Sequence, residues 1–172
     1  IANVNLEFSI DNGQNWSAVG TNPHPNTGSL AWTVPTDTNS ETCLIRITDP
    51  NNASATDVSD AVFEVRASLS VTVPTTGAEW TVGTSQNIGW SITGTVQNVK
   101  IDYSKNGGTD WTEVIASRDA TLTPYAWSIP TSGDLRTPDQ AKIRVADASK
   151  SVVYGTSPNF RMKGIITVTN PT

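Results

Sequence analysis

An eight-residue string that occurs twice constrains the architecture of this chain more than any other feature. The string at residues 9–16 returns 95 positions later at residues 104–111, with Ser, Gly and Trp each displaced by the same amount. The flanking residues repeat too, so we predict that the chain contains copies of one folding unit. A unit of about 97 residues is long enough to bury a modest core without metals or disulfides.

Each copy of the string predicts a β-hairpin. Apolar and polar side chains alternate before both strings, at residues 4–9 and 99–104, as in a strand with one buried face. Each turn carries a glycine for positive φ and an Asp or Asn that can accept hydrogen bonds from its own turn. We therefore predict a structural hairpin role for these residues: Ser9, Asp11, Gly13, Trp16, Ser104, Asn106, Gly108 and Trp111.

The repeat continues beyond the hairpin and predicts further strands. Residues 30–35 match residues 125–130, and a proline closes a short strand in both. Residues 43–49 then match 141–147. For the complete copy we predict seven strands, near 69–73, 86–92, 97–104, 111–116, 124–129, 140–146 and 158–163.

These matches define three segments. Residues 1–67 are predicted to be a partial repeat that lacks its first two strands, and residues 68–163 a complete repeat. Residues 164–172 match the opening strand of the complete copy and are predicted to begin a third repeat.

Seven short strands in under 100 residues, with no helical periodicity, predict an all-β fold of tandem immunoglobulin-like Greek-key β-sandwiches. A propeller is the rival interpretation, but its blades repeat at about half this period. The predicted core comprises Trp32, Cys43, Phe63, Trp90, Trp127 and Phe160.

The order of motifs in the complete copy is P-x-x-G-x-x-W, I-x-W, V-x-I-x-Y-S-x-x-G-G-x-x-W, Y-x-W-x-I-P and A-x-I-R-V-x-D. It resembles an immunoglobulin-like module that occurs in tandem in large bacterial and archaeal surface or secreted proteins. It is also similar to the N-terminal domain of fungal Ser-Thr-rich, GPI-anchored cell-wall proteins. The resemblance implies an extracellular or cell-surface location and names no ligand. The string at 9–16 also looks like the Asp-box of sialidases, which stabilises a hairpin and carries no catalysis.

Composition narrows the classes of function. The net charge of −5 and the absence of a basic cluster argue against nucleic-acid binding. A single cysteine excludes an intrachain disulfide. No apolar run reaches the roughly 18 residues of a membrane helix, so we expect no direct membrane insertion.

No enzyme motif occurs, and we predict that the chain is not an enzyme. Nucleophile elbows, zinc-binding helices and phosphate loops are all missing from the sequence. The sole histidine, His24, has no second histidine to share a metal with, and Cys43 is expected to be a small buried apolar residue.

We predict no cofactor, and calcium is the one that the sequence leaves open. Oxygen-bearing side chains near the last two strands of the first copy are candidates for a calcium site: Asp49, Asn51, Asp57 and Asp60. Asp147 repeats the first of them. The alternative is a solvated acidic loop that keeps the strand ends soluble.

Aromatic side chains suggest a second kind of site. Trp16, Trp80 and Trp111 lie at predicted strand ends or loops, where an exposed ring could bind carbohydrate. The alternative is that all three pack against the core or the hairpins.

We therefore predict a structural or adhesive repeat module of a large secreted or cell-surface protein, serving as a spacer, stalk or fibre. Its expected partners are neighbouring repeats, and cell-surface glycans or proteins bound through loops that differ between copies. One alternative is a carbohydrate-binding module beside an enzyme elsewhere in the parent chain. Another is a filament subunit, in which the strand at 165–170 completes the deficient copy of the next molecule.

Overall fold

A computed structural model describes residues 1–133 and 135–164 of the chain. Every regular element in these residues is a β-strand, and they contain no helix that could span a membrane. The predicted all-β class is thereby confirmed. The chain divides into two compact units, Ile1–Ala67 and Ser68–Thr172, which we call the first and second unit.

The first unit is built on one antiparallel sheet. Its strands are β1 (Asn3–Ser9), β2 (Ser17–Ala18), β3 (His24–Pro25), β4 (Ser40–Asp49), β5 (Asn52–Val58) and β6 (Phe63–Val65). The sheet order is β2-β1-β4-β5, with β3 also paired to β1 and β6 to β4. Alternation of apolar and polar residues along β1 and β4 gives this sheet one apolar inner face and one polar outer face.

The second unit has two sheets. Its strands are β7 (Ser68–Val73), β8 (Glu79–Thr81), β9 (Ser85–Thr93), β10 (Asn98–Ser104), β11 (Thr112–Asp119), β12 (Tyr125–Ser128), β13 (Thr137–Asp147), β14 (Tyr154–Thr156) and β15 (Phe160–Lys163). One sheet has the order β11-β10-β13-β15-β8, with β14 on β13, and the other the order β12-β9-β7. This arrangement is compatible with a β-sandwich.

Aromatic rings join the two sheets of the second unit. The Trp127 ring, on the smaller sheet, lies 5.4 Å from Tyr103 and 6.2 Å from Trp80, both on the larger sheet. Trp80 also contacts Phe160 at 4.7 Å. Trp90 is buried and donates its indole N–H to the Ala120 carbonyl at 2.9 Å.

The core of the first unit is smaller. Phe8, Val19 and Cys43 are buried, and partly buried apolar residues pack against them, among them Trp32 and Phe63. The Phe8 ring lies 4.6 Å from Trp32 and 6.1 Å from Phe63. The aromatic cluster therefore sits at one end of the inner face of the sheet.

The structure differs from the predicted strands in the first unit. Residues 30–34, expected to form a strand, are not one, although the matching residues form β12 in the second unit. There β12 pairs with β9, and the described part of the first unit has no counterpart of β9. A strand needs a neighbour to satisfy its backbone, so the same sequence pattern stays irregular without one. The predicted third repeat at 164–172 lies, beyond Gly164, outside the described residues.

Candidate functional site

The first hairpin is held by hydrogen bonds from its own side chains. The Ser9 hydroxyl donates to Asp11 Oδ1 at 2.8 Å and accepts from the Gly13 amide at 2.8 Å. Asp11 accepts the backbone N–H of Asn15 at 2.8 Å and its side-chain amide at 2.6 Å. Gly13 has a φ of 83°, a region that residues with a Cβ adopt at a cost. Turn geometry therefore accounts for Ser9, Asp11 and Gly13 of the string.

The second hairpin repeats this network with the acid and the amide exchanged. Ser104 donates to Asn106 Oδ1 at 2.9 Å and accepts from the Gly108 amide at 2.9 Å. Asn106 accepts the Asp110 backbone N–H at 2.9 Å and donates its side-chain amide to the Asp110 carboxylate at 2.8 Å. The carboxylate is thus in the middle of the first turn and at the edge of the second.

This exchange gives only the first hairpin a titratable group at its centre. Hydrogen bonds to the ionised carboxylate hold the pKa of Asp11 below its usual value, first the backbone amide of Asn15, then the Asn15 side chain and the Ser9 hydroxyl. The equivalent Asn106 carries no proton to lose in the ordinary pH range.

A tryptophan, an arginine and an acid stack beside the first hairpin. The Arg46 guanidinium carbon lies 4.3 Å from the Trp16 ring centroid, within the range of a cation–π contact. Arg46 also lies 2.7 Å from the Glu7 carboxylate, its direct neighbour across the β1–β4 ladder. We call this set the Trp–Arg–acid stack.

The second unit has the same Trp–Arg–acid stack in a more buried form. Arg144 lies 4.5 Å from the Trp111 centroid and 2.8 Å from the Asp102 carboxylate, which faces it across β10 and β13. Asp102 is only 2% exposed, and Lys100 Nζ approaches it at 3.3 Å. A buried carboxylate needs such neighbouring positive charges to offset the hydration that it loses on burial.

Sequence reasoning assigned no role to these arginines, although a signal was present. Arg46 and Arg144 occupy the same place in the two copies, and an acidic residue sits at the same place in both β1 and β10. Only the ladder register shows that arginine and acid are cross-strand neighbours.

The three tryptophans considered for carbohydrate binding fall into two groups. Trp80 is 5% exposed and packs against Trp127 and Phe160, so its faces are occupied. Trp16 and Trp111 are partly exposed, and each has an arginine over its ring. Trp16 also donates its indole N–H to the Gly13 carbonyl at 2.9 Å.

The residues considered for calcium binding are spread along β4 and β5. Asp49 is at the hairpin end, where it accepts the Asn51 amide at 2.9 Å, whereas Asp57 lies opposite Ile47. Asp60 follows the other end of β5, beyond Val58, which pairs with Arg46 three residues along β4 from Asp49. Among residues 1–133 and 135–164, no group of three or more His, Cys, Asp or Glu is arranged to hold a metal ion.

Turn chemistry explains why Asp49 recurs as Asp147. The Asp147 carboxylate accepts the Ser149 amide at 2.8 Å and the Lys150 amide at 3.2 Å, as Asp49 accepts that of Asn51. Both aspartates therefore close the same type of turn after the same strand.

His24 and Cys43 have local structural roles. The Nε2 atom of His24 lies 2.7 Å from the Val19 carbonyl. Cys43 is fully buried, and its thiol approaches the Ser40 carbonyl at 3.7 Å.

An open cleft of about 360 Å³ lies on the inner face of the first unit. Apolar residues of β1 and β4 form its floor, and residues 24–30 and Trp32 form its wall. The lining contains no Asp, Glu, Lys or Arg. The cleft can therefore offer apolar contacts and a polar rim, but no fixed charge.

Comparisons with protein-family models, curated proteins and solved structures gave no match to this chain.

Proposed function

We propose that this chain is a structural repeat module of a large secreted or cell-surface protein, where it acts as a spacer, stalk or fibre. One observation carries the proposal: the side chains that recur in the two hairpins form hydrogen bonds within their own turns. Side chains whose hydrogen-bonding groups are already used within the turn stabilise the turn and are not available to bind a ligand. The sequence repeat then reflects a repeat of architecture.

The strand distribution supports an immunoglobulin-like Greek key for the second unit. Leaving aside the short β8 and β14, the first, second and fifth strands share the β12-β9-β7 sheet. The third, sixth and seventh strands share the other sheet, as they do in immunoglobulin-like sandwiches. The fourth strand, β11, extends that sheet beside β10.

Neighbouring repeats are the proposed partners, with cell-surface glycans or proteins as further ones. The segments that differ most between the copies are 21–29 against 116–124, and 36–42 against 131–140. Variable loops on a constant scaffold are where a repeat protein carries recognition.

The test replaces the serine with which each turn begins, Ser9 or Ser104. We expect Ser9→Ala and Ser104→Ala each to lower the free energy of unfolding by about 1–2 kcal/mol, because each leaves turn groups without their partner. Denaturant unfolding monitored by unit-resolved amide exchange measures this loss. Unchanged or increased stability would contradict a structural role, since groups kept for binding often cost stability.

A polysaccharide panel tests the rival function on the same protein. We expect no heat of binding in calorimetry. Binding that Trp111→Ala abolishes, with the second unit still folded, would overturn the spacer role and favour a carbohydrate-binding module.

A further inference from the structure

A second cleft, of about 520 Å³, lies in the second unit between the edges of its two sheets. Its walls are β11, the outermost strand of the larger sheet, and β12, the outermost strand of the smaller sheet. The buried residues Tyr103 and Trp127 line it between these walls. Ser132, Gly133 and Leu135 also line it, so the segment 131–140, which differs between the copies, reaches this cleft.

The backbone of β12 has one free side, which faces away from β9. Ile129 donates its N–H to the Thr84 carbonyl at 3.0 Å, in the register of the β12–β9 ladder. Bonded residues alternate along an antiparallel strand, so Ala126 and Ser128 direct their N–H and C=O groups away from β9. Within the described residues, no backbone–backbone hydrogen bond outside the ladders involves either of them. The smaller sheet can therefore accept a further strand beside β12.

The other sheet edges of the second unit carry features that oppose such pairing. β11 has an irregular register on β10 and contains Glu113, Arg118 and Asp119. β8 carries the ion-paired Glu79, and β7 is contacted by β14. Charges, bulges and covering elements are the means by which proteins keep sheet edges from pairing. β12 (Tyr125–Ser128) contains no charged residue and borders an open cleft, so strand addition is least opposed there.

The lining of this cleft indicates which side chains an added strand would carry. Alternate side chains of that strand would lie beside Tyr125 and Trp127, as cross-strand neighbours do. Val114 and Leu135 add apolar surface. Among the described residues of the lining, Glu113 is the only charged one, and its side chain is 52% exposed. Charge complementarity therefore favours Lys or Arg in the bound segment.

We propose that this cleft binds an extended, cationic segment of a partner protein, which adds as a strand beside β12. Apolar side chains at alternate positions of the segment fill the cleft, and a Lys or Arg of the segment meets Glu113. The inference rests on the proposed function, because it names the class of partner that the variable segment 131–140 meets. Only Ala126 and Ser128 offer free backbone groups, so the side chains in the cleft supply most of the selectivity.

Selection from a library of short random peptides displayed on phage tests the proposal. The full chain is the bait and its Ala126→Pro variant the counter-bait, since proline removes an N–H that β9 does not use. We expect enrichment of peptides that alternate apolar residues and carry Lys or Arg. Synthetic copies should bind the variant about tenfold more weakly, the equivalent of one or two lost hydrogen bonds.

Amide exchange followed by NMR locates the bound peptides. We expect slowed exchange at Ala126 and Ser128 on peptide binding, because their N–H groups become hydrogen-bonded. A protected Ile129 amide in Ala126→Pro shows that the variant keeps β12 on β9.

A matched pair of glutamine variants tests the charge and does not depend on the proline variant. Glu113 and Glu79 are both exposed on edge strands of the larger sheet, but only Glu113 lines the cleft. We expect Glu113→Gln to weaken peptide binding about threefold, as for an exposed ion pair. Glu79→Gln is expected to leave binding unchanged.

Three outcomes would overturn the proposal. They are no peptide binding that slows exchange at Ala126 and Ser128, enriched peptides that lack Lys and Arg, and equal effects of the two glutamine variants. Protection of these amides that rises with protein concentration alone would replace the partner segment with a second copy of the chain. Failure here, with Ser9→Ala and Ser104→Ala still destabilising, would leave the spacer role standing.

Discussion

At the scale of the residue, the exchange of acid and amide makes the two hairpins respond differently to pH. Asp11 accepts three hydrogen bonds as a carboxylate, and these lower its pKa in the folded state. A lowered carboxyl pKa stabilises the fold above the unfolded-state value and loses that effect as the pH falls through the folded value.

We predict that the first hairpin loosens below about pH 4, the unfolded-state pKa of aspartate, while the hydrogen bond from the Asp110 backbone N–H to Asn106 Oδ1 persists. Exchange rates of the Asn15 and Asp110 amides, measured between pH 5 and 2, give the comparison after correction for intrinsic rates. Asp11→Asn should remove the difference. If both amides lost their protection from exchange in parallel in the unsubstituted chain, the prediction would be wrong.

The Trp–Arg–acid stack also differs between the units in the burial of its acid. Asp102 is almost fully buried, whereas the Glu7 side chain is 26% exposed and can be hydrated. Removal of the arginine therefore leaves a buried carboxylate with Lys100 as its remaining cationic partner in the second unit, but a partly hydrated carboxylate in the first.

We predict that Arg144→Ala costs about 3 kcal/mol of unfolding free energy and Arg46→Ala about 1 kcal/mol. Denaturant unfolding with unit-resolved amide exchange separates the two losses. Arg144→Lys keeps the charge but loses the planar stacking on Trp111, and should fall between Arg144→Ala and the unsubstituted protein. Equal losses for the two alanine variants would show that burial of the acid does not set the cost.

At the scale of the element, close packing of β14 on β7 depends on one glycine. A Cβ built on Gly155 would come within 2.4 Å of the Leu69 carbonyl oxygen. The nearest atoms are backbone, so the side chain could be accommodated only by moving a strand.

We predict that Gly155→Ala destabilises the second unit by about 1–3 kcal/mol, the usual cost of overpacking. Thr156→Ala, an exposed change in the same strand, is the control and should stay within about 0.5 kcal/mol. Melting temperatures of the two variants provide the measurement. A neutral Gly155→Ala would mean that β14 is not held against β7 in solution.

Strands were predictable from the sequence where apolar and polar residues alternate along them. The alternation in β1, β4, β10 and β13 located these strands, since period-2 patterning depends only on which face is buried. Residues 30–34 carry the β12 pattern without forming a strand, because pairing depends on a partner that the first unit does not provide.

At the scale of the whole molecule, the two units bury matched residues to different extents. Ile45 and Ile143 occupy the same position of the repeat, but Ile143 is fully buried and Ile45 only partly. Hydrophobic stabilisation scales with the apolar area removed from water, so the same residue contributes less in the first unit.

We predict that Ile143→Ala costs about 3–4 kcal/mol and Ile45→Ala about half as much. Calorimetry combined with unit-resolved amide exchange measures both losses, and the first unit should open first in the unsubstituted chain. Equal losses would indicate that the inner face of the first unit is covered in solution. Dilution would then show whether a second copy covers it.

The sequence by itself determined the all-β class, the repeat and the turn chemistry of both hairpins, because these depend on residues close together in the chain. Only the tertiary structure showed that Arg46 and Arg144 stack on the hairpin tryptophans against acids, since that contact needs the ladder register. It alone showed that Asp49 and Asp60 lie at opposite ends of a strand pair. The apolar cleft of the first unit was likewise decided by tertiary structure, because burial depends on what packs above a face and not on the face's own sequence.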